Sequence, residues 1–178
     1  VPDIITYTYT MTPIVSIIMG STSDLPIMQK AAEYFDQLQI PFEILALSAH
    51  RTPREVEQFA STARSRGIKV IIAGAGMAAH LGGVIASLTT LPVIGVPIRS
   101  SFDGLDALLA IVQMPPGIPV ATVGVNGALN AAILASEILA LNDDDIQQRV
   151  AQYKSHLADK IVKANDELKE IHYTYKTN

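Results

Sequence analysis

Two histidines, one arginine and a cluster of hydroxyls are the side chains in this sequence best placed to do chemistry. Ser48-Ala49-His50-Arg51-Thr52-Pro53 sets an imidazole, the usual proton carrier of neutral solution, beside a guanidinium that can clamp a phosphate or a carboxylate. Taken singly, His50 could satisfy a backbone carbonyl and Arg51 could be a solvated surface residue. Their gathering with Ser48 in one turn favours a ligand. Gly20-Ser21-Thr22-Ser23-Asp24 offers a glycine, three hydroxyls and the free N–H groups of a helix start, the makings of an anion site. Asp24 would repel a phosphate, so it either caps the helix or accepts from ribose hydroxyls. A plain capped turn remains the alternative. The GK[ST] element of a P-loop is missing.

Gly74-Ala75-Gly76-Met77-Ala78-Ala79-His80-Leu81-Gly82-Gly83 is a run of small residues whose backbone an anion can approach closely. It fits GxGxxG/A superficially. The positions some 20 further on, Pro92 to Pro97, hold no carboxylate, so the dinucleotide-binding reading fails. His80 reads as a positioning group more readily than as a second base, since one base usually suffices. Gln113-Met114-Pro115-Pro116-Gly117 reads as a rigid loop. In Asn126-Gly127-Ala128-Leu129-Asn130 the two amides could line a pocket, but capping is the simpler role. No His/Asp/Glu grouping has metal-ligand spacing, and no GxSxG elbow accompanies the serines.

These segments share one placement. Short apolar runs recur at Ile14–Met19, Phe42–Leu47, Val70–Ala73, Val93–Val96 and Val120–Val123, each followed by a Gly or Ser turn. Their near-continuous apolar character, rather than alternation, predicts strands covered on both faces. Helical patterns lie between them. Leu25–Leu38 follows Asp24 as N-cap, and Pro53–Arg66 follows Thr52, with Gly67 after its end. Ala128–Leu141 is rich in alanine and leucine. Alternating strand and helix predicts an α/β fold, three layers with a parallel sheet between helices. In such sheets ligands bind outside the carboxyl ends of the strands, where the motifs above fall. A tail with apolar residues at Ile146, Val150, Tyr153, Leu157, Ile161, Leu168 and Ile171 predicts a long C-terminal helix, its stripe laid on its own body or on a neighbouring subunit.

Composition narrows the function classes. Seventeen acidic against 13 basic side chains argue against nucleic acid as a partner. With no cysteine, thiolate zinc sites, thiol nucleophiles and disulfides are excluded, which suits a reducing cytoplasm. The most apolar stretch, Val70 to Ala86, carries His80 and four glycines and would make a poor membrane span. Residues 68–132 hold four charged side chains in 65 positions, whereas 142–178 hold 13 in 37. The middle of the chain is therefore interior or subunit interface. Residues 1–12 read as a polar extension, with Met11 a possible natural start, and 13–178 as one α/β catalytic domain.

The blocks GSTSD, SAHRTP, AGAGMAAHL, PVIGVP, DALLAIVQMPPGIPVATV and NAAILA, in that order, resemble the N5-carboxyaminoimidazole ribonucleotide mutases of purine biosynthesis, also called the catalytic subunit of phosphoribosylaminoimidazole carboxylase. The resemblance covers roughly residues 14–155. It implies a flavodoxin-like subunit, a homo-octamer, and transfer of a carboxylate from the exocyclic nitrogen of an imidazole ribonucleotide to ring carbon C4, without ATP, biotin, metal or other cofactor. It implies that Ser21, Ser23 and Arg51 hold the 5′-phosphate and Asp24 the ribose. His50 would be the general acid–base with His80 as a second catalytic-site histidine. The backbone at Ala75, Gly76, Met77 and His80–Leu81 would surround the travelling carboxylate, with Ser48 in the substrate-binding set. A related branch carboxylates the unmodified ribonucleotide directly with CO2. It resembles SAHKT where this chain has SAHRT and has a Ser-Asn pair after the third strand, so Arg51 and His80 favour the mutase branch. A nucleotide-binding domain without chemistry is the remaining alternative. Three departures stand out: Gly82 replaces a frequent proline, Arg99 stands where glutamine is usual, and the Ser100–Gly104 loop is one residue short. None removes a proposed catalytic group.

Overall fold

The structure is a computed structural model that describes residues 11–178. Residues 1–10 of the polar extension expected at the N-terminus thus lie outside the described residues. Five parallel strands form one sheet in the order β2-β1-β3-β4-β5: β1 Val15–Met19, β2 Phe42–Ala46, β3 Val70–Gly76, β4 Val93–Ile98 and β5 Ala121–Thr122. This is the flavodoxin-like order, in which the chain switches direction between β1 and β3. Strands β1, β3 and β4 are buried almost throughout, as expected, whereas β2 and β5, at the two edges of the sheet, are only partly covered, contrary to the expectation for all five.

Alternation along each strand divides the core in two. Val15, Ile17 and Met19 of β1, with Val70 and Ile72 of β3, face helices α1 (Leu25–Gln37), α5 (Ala128–Ala140) and the start of α6 (Asp144–Lys169). Ile18, Ile71 and Ala73 face the other layer, made by α2 (Pro53–Ala63), α3 (Leu81–Leu88) and α4 (Leu105–Val112). On α1, Met28, Ala31, Tyr34 and Phe35 recur at helical spacing and are fully or nearly fully buried. Each large one contributes about 1.5–3 kcal/mol relative to exposure. On α5 the buried face is Ala128, Ala131, Ala132 and Ala135, small enough for the helix to lie close against α1 and the sheet.

Several boundaries differ from the sequence reading. Strand β3 runs three residues further than predicted, so Gly74, Ala75 and Gly76 are strand, not turn. Packing explains the glycines. A Cβ on Gly74 would come within 2.5 Å of Met28 Sδ, and one on Gly76 within 3.1 Å of the Ile98 carbonyl oxygen. Helix α2 ends at Ala63 rather than Arg66, and Arg66 turns back to make two hydrogen bonds to Glu43. Asp24 and Thr52 stand at the expected N-cap positions but make no capping hydrogen bond. Ser21 caps instead, accepting from the Ser23 N–H ahead of the single 3-10 turn Thr22–Asp24. Helix α4 was hidden in the block DALLAIV, and the Gln113–Gly117 loop follows it as predicted.

The long tail helix is present, capped by the Asp143 carboxylate accepting from the Ile146 N–H at 3.0 Å. Ile146 and Val150 are buried against the body and Tyr153 packs on Tyr34. Further along, Leu157, Ile161 and Leu168 are uncovered.

Candidate active site

The carboxyl edge of the sheet carries a cleft of about 740 Å³. It opens at the β1/β3 switch point, where the Gly20 N–H donates to the Gly74 carbonyl at 3.2 Å. Four strand ends and the turn after β5 supply its walls.

The turn after β1 contributes Gly20, Ser21, Ser23 and Asp24. Asp24 N–H donates to the Ser21 carbonyl at 3.1 Å, and Ser23 Oγ donates to Asp24 Oδ1 at 3.4 Å. Partial burial pushes the Asp24 carboxyl above its ordinary value, and the Ser23 hydroxyl, the Ser21 backbone and the Arg51 charge only partly offset this.

The turn after β2 is held by Ser48 and Thr52. Thr52 Oγ1 accepts from the Ser48 N–H at 2.9 Å and donates to the Ser48 carbonyl at 3.2 Å. Ser48 Oγ accepts from Arg51 N–H at 3.2 Å and from its Nε–H at 3.4 Å. Arg51 then reaches one strand inward and donates from a terminal nitrogen to the Gly20 carbonyl at 2.7 Å. The guanidinium is thereby carried to the Ser21–Ser23 turn, so the three groups predicted to hold one anion do converge on one wall.

Past β3 the chain turns sharply. Met77 adopts φ 53°, a left-handed conformation unusual for a side chain with a Cβ, and Ala79 N–H closes the turn onto the Met77 carbonyl at 2.9 Å. Ala75, Gly76, Met77, Ala78 and Leu81 line the cleft. His80 precedes α3 and is not part of the lining. Its Nδ1 lies 2.9 Å from His50 Nε2, with the rings edge to face at 5.0 Å between centroids. One hydrogen lies between two nitrogens at such a contact, so one ring donates and the other accepts. His50 is the ring that lines the cleft, and His80, outside the lining, is hydrogen-bonded to it.

The sequence reading left Ile98, Arg99, Ser100 and Asn126 out of the site, with Asn126 weighed as a pocket residue and set aside as a cap, yet together they build a further wall. Its signal was position alone, the turns after β4 and β5. Asn126 does not cap α5 as expected. It stands at φ 59°, donates its N–H to the Pro97 carbonyl at 2.8 Å, and accepts from the Arg99 N–H on Oδ1 at 2.9 Å. Among the described residues there is no group of three or more side chains that could hold a metal, and no helix is long and apolar enough to cross a membrane.

Comparison with known proteins agrees with this geometry. The AIR carboxylase family model matches residues 14–160. The N5-carboxyaminoimidazole ribonucleotide mutase of Pyrococcus abyssi is 56% identical over 146 residues, 82% of this chain and 84% of that protein. The enzyme of the same name from Thermotoga maritima is 51% identical over 162 residues, 90% of this chain and 95% of that one. A crystal structure of Treponema denticola PurE superposes with a TM-score of 0.81 at 32% identity, covering 89% of this chain and 99% of that chain. With a family model spanning the whole sheet and relatives this similar along nearly their full length, the chain belongs to the AIR carboxylase family.

Proposed function

We propose that this chain is an N5-carboxyaminoimidazole ribonucleotide mutase of purine biosynthesis, with residues 13–178 as its catalytic domain. The observation that carries the reading is the cleft itself: an imidazole faces it, a guanidinium and two serines share one wall, and a small-residue turn forms another. Arg51, Ser21 and Ser23 hold the 5′-phosphate, Ser48 orients Arg51, and Asp24 accepts from the ribose hydroxyls. The phosphate supplies binding energy remote from the reacting atoms. The substrate's N-carboxylate is a carbamate. Protonation of its nitrogen by His50 breaks the N–C bond and frees CO2 beside the ring. The walls at Ala75, Gly76, Met77 and Leu81 keep CO2 at C4, where the ring carbon attacks it. Confinement makes this second step effectively unimolecular, a gain that can reach about 7–11 kcal/mol in well-oriented systems. His50, now lacking a proton, removes the C4 proton and restores aromaticity. One proton enters and one leaves, so a single base suffices. His80 holds that base in its orientation.

An ultraviolet assay decides the reading. The protein should interconvert the N-carboxylated and C4-carboxylated ribonucleotides without ATP. Consumption of aminoimidazole ribonucleotide and bicarbonate, with the carbamate left untouched, would assign the direct carboxylase instead. Binding with no turnover of any of the three would leave a nucleotide-binding domain.

The same reading includes a homo-octamer in a reducing, cytoplasmic setting. Phe102, Leu105, Leu109 and Val112 on and before α4, with Ile161 and Val162 on α6, leave apolar surface of the kind that copies of a chain cover for one another. Sedimentation at micromolar concentration should give a species near eight chains, and a fully active monomer would refute the assembly.

A further inference from the structure

We infer that Arg99 is a specificity-determining residue that reads the carboxylate of the ribonucleotide, from the side of the cleft opposite Arg51. The inference rests on the substrate class proposed above. Arg51 and Arg99 are the two guanidinium groups lining the cleft. Arg51 follows β2 and Arg99 follows β4, three inter-strand gaps apart in the order β2-β1-β3-β4. At roughly 4.8 Å per gap the ends of β2 and β4 stand roughly 14 Å apart, and the turns that follow them bring Arg51 and Arg99 to the cleft. A ligand with a phosphate at one end and a carboxylate at the other, joined through a ribose and an imidazole, meets a cation at each end.

The local packing says which end is which. Arg51 reaches toward the serine turn through the Gly20 carbonyl. Arg99 is flanked by residues pressed against the small-residue wall: the missing Cβ of Gly76 would lie 3.1 Å from the Ile98 carbonyl oxygen and 3.6 Å from Ser100 Cβ. That wall is where the proposed reaction moves its carboxylate.

Arg99 also has the mechanics of a ligand-reading side chain. Its backbone is fixed, because Asn126 accepts from the Arg99 N–H at 2.9 Å and donates to the Pro97 carbonyl at 2.8 Å. Its side chain is held only by an exposed carboxylate. Nε and a terminal nitrogen of Arg99 donate to Asp103 Oδ1 at 3.1 and 2.5 Å, with the two side chains 63% and 83% exposed. An exposed pair of this kind adds little to stability and is easily exchanged. Asp103 thus occupies the guanidinium with the same chemical group that the substrate would bring. Both carboxylated ribonucleotides carry that group and freed CO2 does not, so the contact strengthens binding of substrate and product, and its loss raises KM without lowering kcat.

The test compares two probes by calorimetry, 4-carboxy-5-aminoimidazole ribonucleotide, which an active protein equilibrates with its carbamate isomer, and aminoimidazole ribonucleotide; the two differ only in the carboxylate. Arg99→Gln should weaken the first by about tenfold or more, the loss expected for a charged hydrogen bond. Affinity for the second should stay within about twofold, and kcat should not fall. Arg99→Lys, which keeps the charge, should recover most of the lost affinity. Asp103→Asn, which removes the competing carboxylate, should tighten the first probe and not the second. Equal weakening of both probes, or no weakening of either, overturns the inference. A wild-type protein that shows the selective loss in Arg99→Gln but does not interconvert the carboxylated ribonucleotides refutes the mutase reading and leaves this one standing. A wild-type protein that binds neither probe refutes both.

Discussion

The contact between His50 and His80 gives the sharpest quantitative expectation. Replacing His50 by Asn keeps a planar side chain with some hydrogen-bonding capacity and removes the proton carrier. Loss of a general acid–base costs about 10²–10⁴-fold in turnover. Replacing His80 by Asn removes one contact, the 2.9 Å bond to His50 Nε2. His80 makes no side-chain cap to α3, and its backbone is in ordinary helical conformation, φ −82° and ψ −13°, so the helix start should survive. A neutral hydrogen bond at an exposed site is worth about 1 kcal/mol, or roughly fivefold. The two single variants should therefore differ by more than tenfold in kcat, with ribonucleotide affinity close to wild type in both. Single-turnover absorbance measurements read the chemical step directly. If His50→Asn kept more than a tenth of wild-type turnover while His80→Asn was dead, the proton would travel through His80 and the roles would reverse. The double variant adds a second check. If His80 acts only through His50, removing both should cost no more than removing His50 alone.

Arg51→Ala should weaken the ribonucleotide by about 1.5–3 kcal/mol and leave the dephosphorylated nucleoside almost unaffected, as titration calorimetry with both ligands would show. Asp24→Asn should raise the melting temperature at pH 7 and weaken ribonucleotide binding together. With its folded pKa raised by burial, Asp24 favours folding below its unfolded value of 3.8 and loses that contribution as pH rises through the folded value, so the ionised group costs stability at neutrality. The melting advantage of the variant should shrink in acid, and a gap that widened there would contradict the assignment. Gly95→Ala should destabilise by about 1–3 kcal/mol in chemical denaturation, because the added methyl would fall on Ile111 Cγ2 and press on Val120 Cγ1 at 3.1 Å.

The parts of this molecule that were legible from sequence are those set by one local rule. Apolar runs located all five strands, though only the three inner ones are almost fully covered, and the Pro-led patterns at Leu25 and Pro53 opened α1 and α2 where expected. The site turns were legible because a parallel sheet puts them all on one edge. Less legible was whatever depends on contacts distant in sequence. Gly74 looks like a turn glycine until Met28 is placed over it, 46 residues away in the chain. Asn126 looks like a cap until the Arg99 N–H is found on its side chain. Asp24 and Thr52 have the right residue type for capping, but Ser21 caps ahead of Asp24, and the Thr52 hydroxyl bonds back to the Ser48 backbone instead of to the start of α2. Helix α4 escaped because its first turn follows Phe102, Asp103 and Gly104, three successive left-handed residues that no short pattern announces.

The same division explains how the cleft can serve the proposed reaction. Freed CO2 is uncharged, so neither arginine can hold it. It must be retained by shape. Shape is what the β3–α3 wall supplies, where Ala75, Gly76 and Ala78 leave no side chain long enough to fill the space and the left-handed Met77 bends the backbone around it. Charge does its work at the two ends, on phosphate and carboxylate, before the N–C bond breaks and after the C–C bond forms. Enlarging the wall should then damage the reaction in a way that removing a charge does not. A methyl at Gly76 has the Ile98 carbonyl oxygen 3.1 Å away, so in Gly76→Ala the β4 turn must move by a few tenths of an ångström. If CO2 is passed within the cleft, that variant should release more aminoimidazole ribonucleotide per turnover, and the leak should fall when bicarbonate is added. A variant that slowed turnover with no rise in released ribonucleotide would show that the wall positions the ring and does not contain the gas.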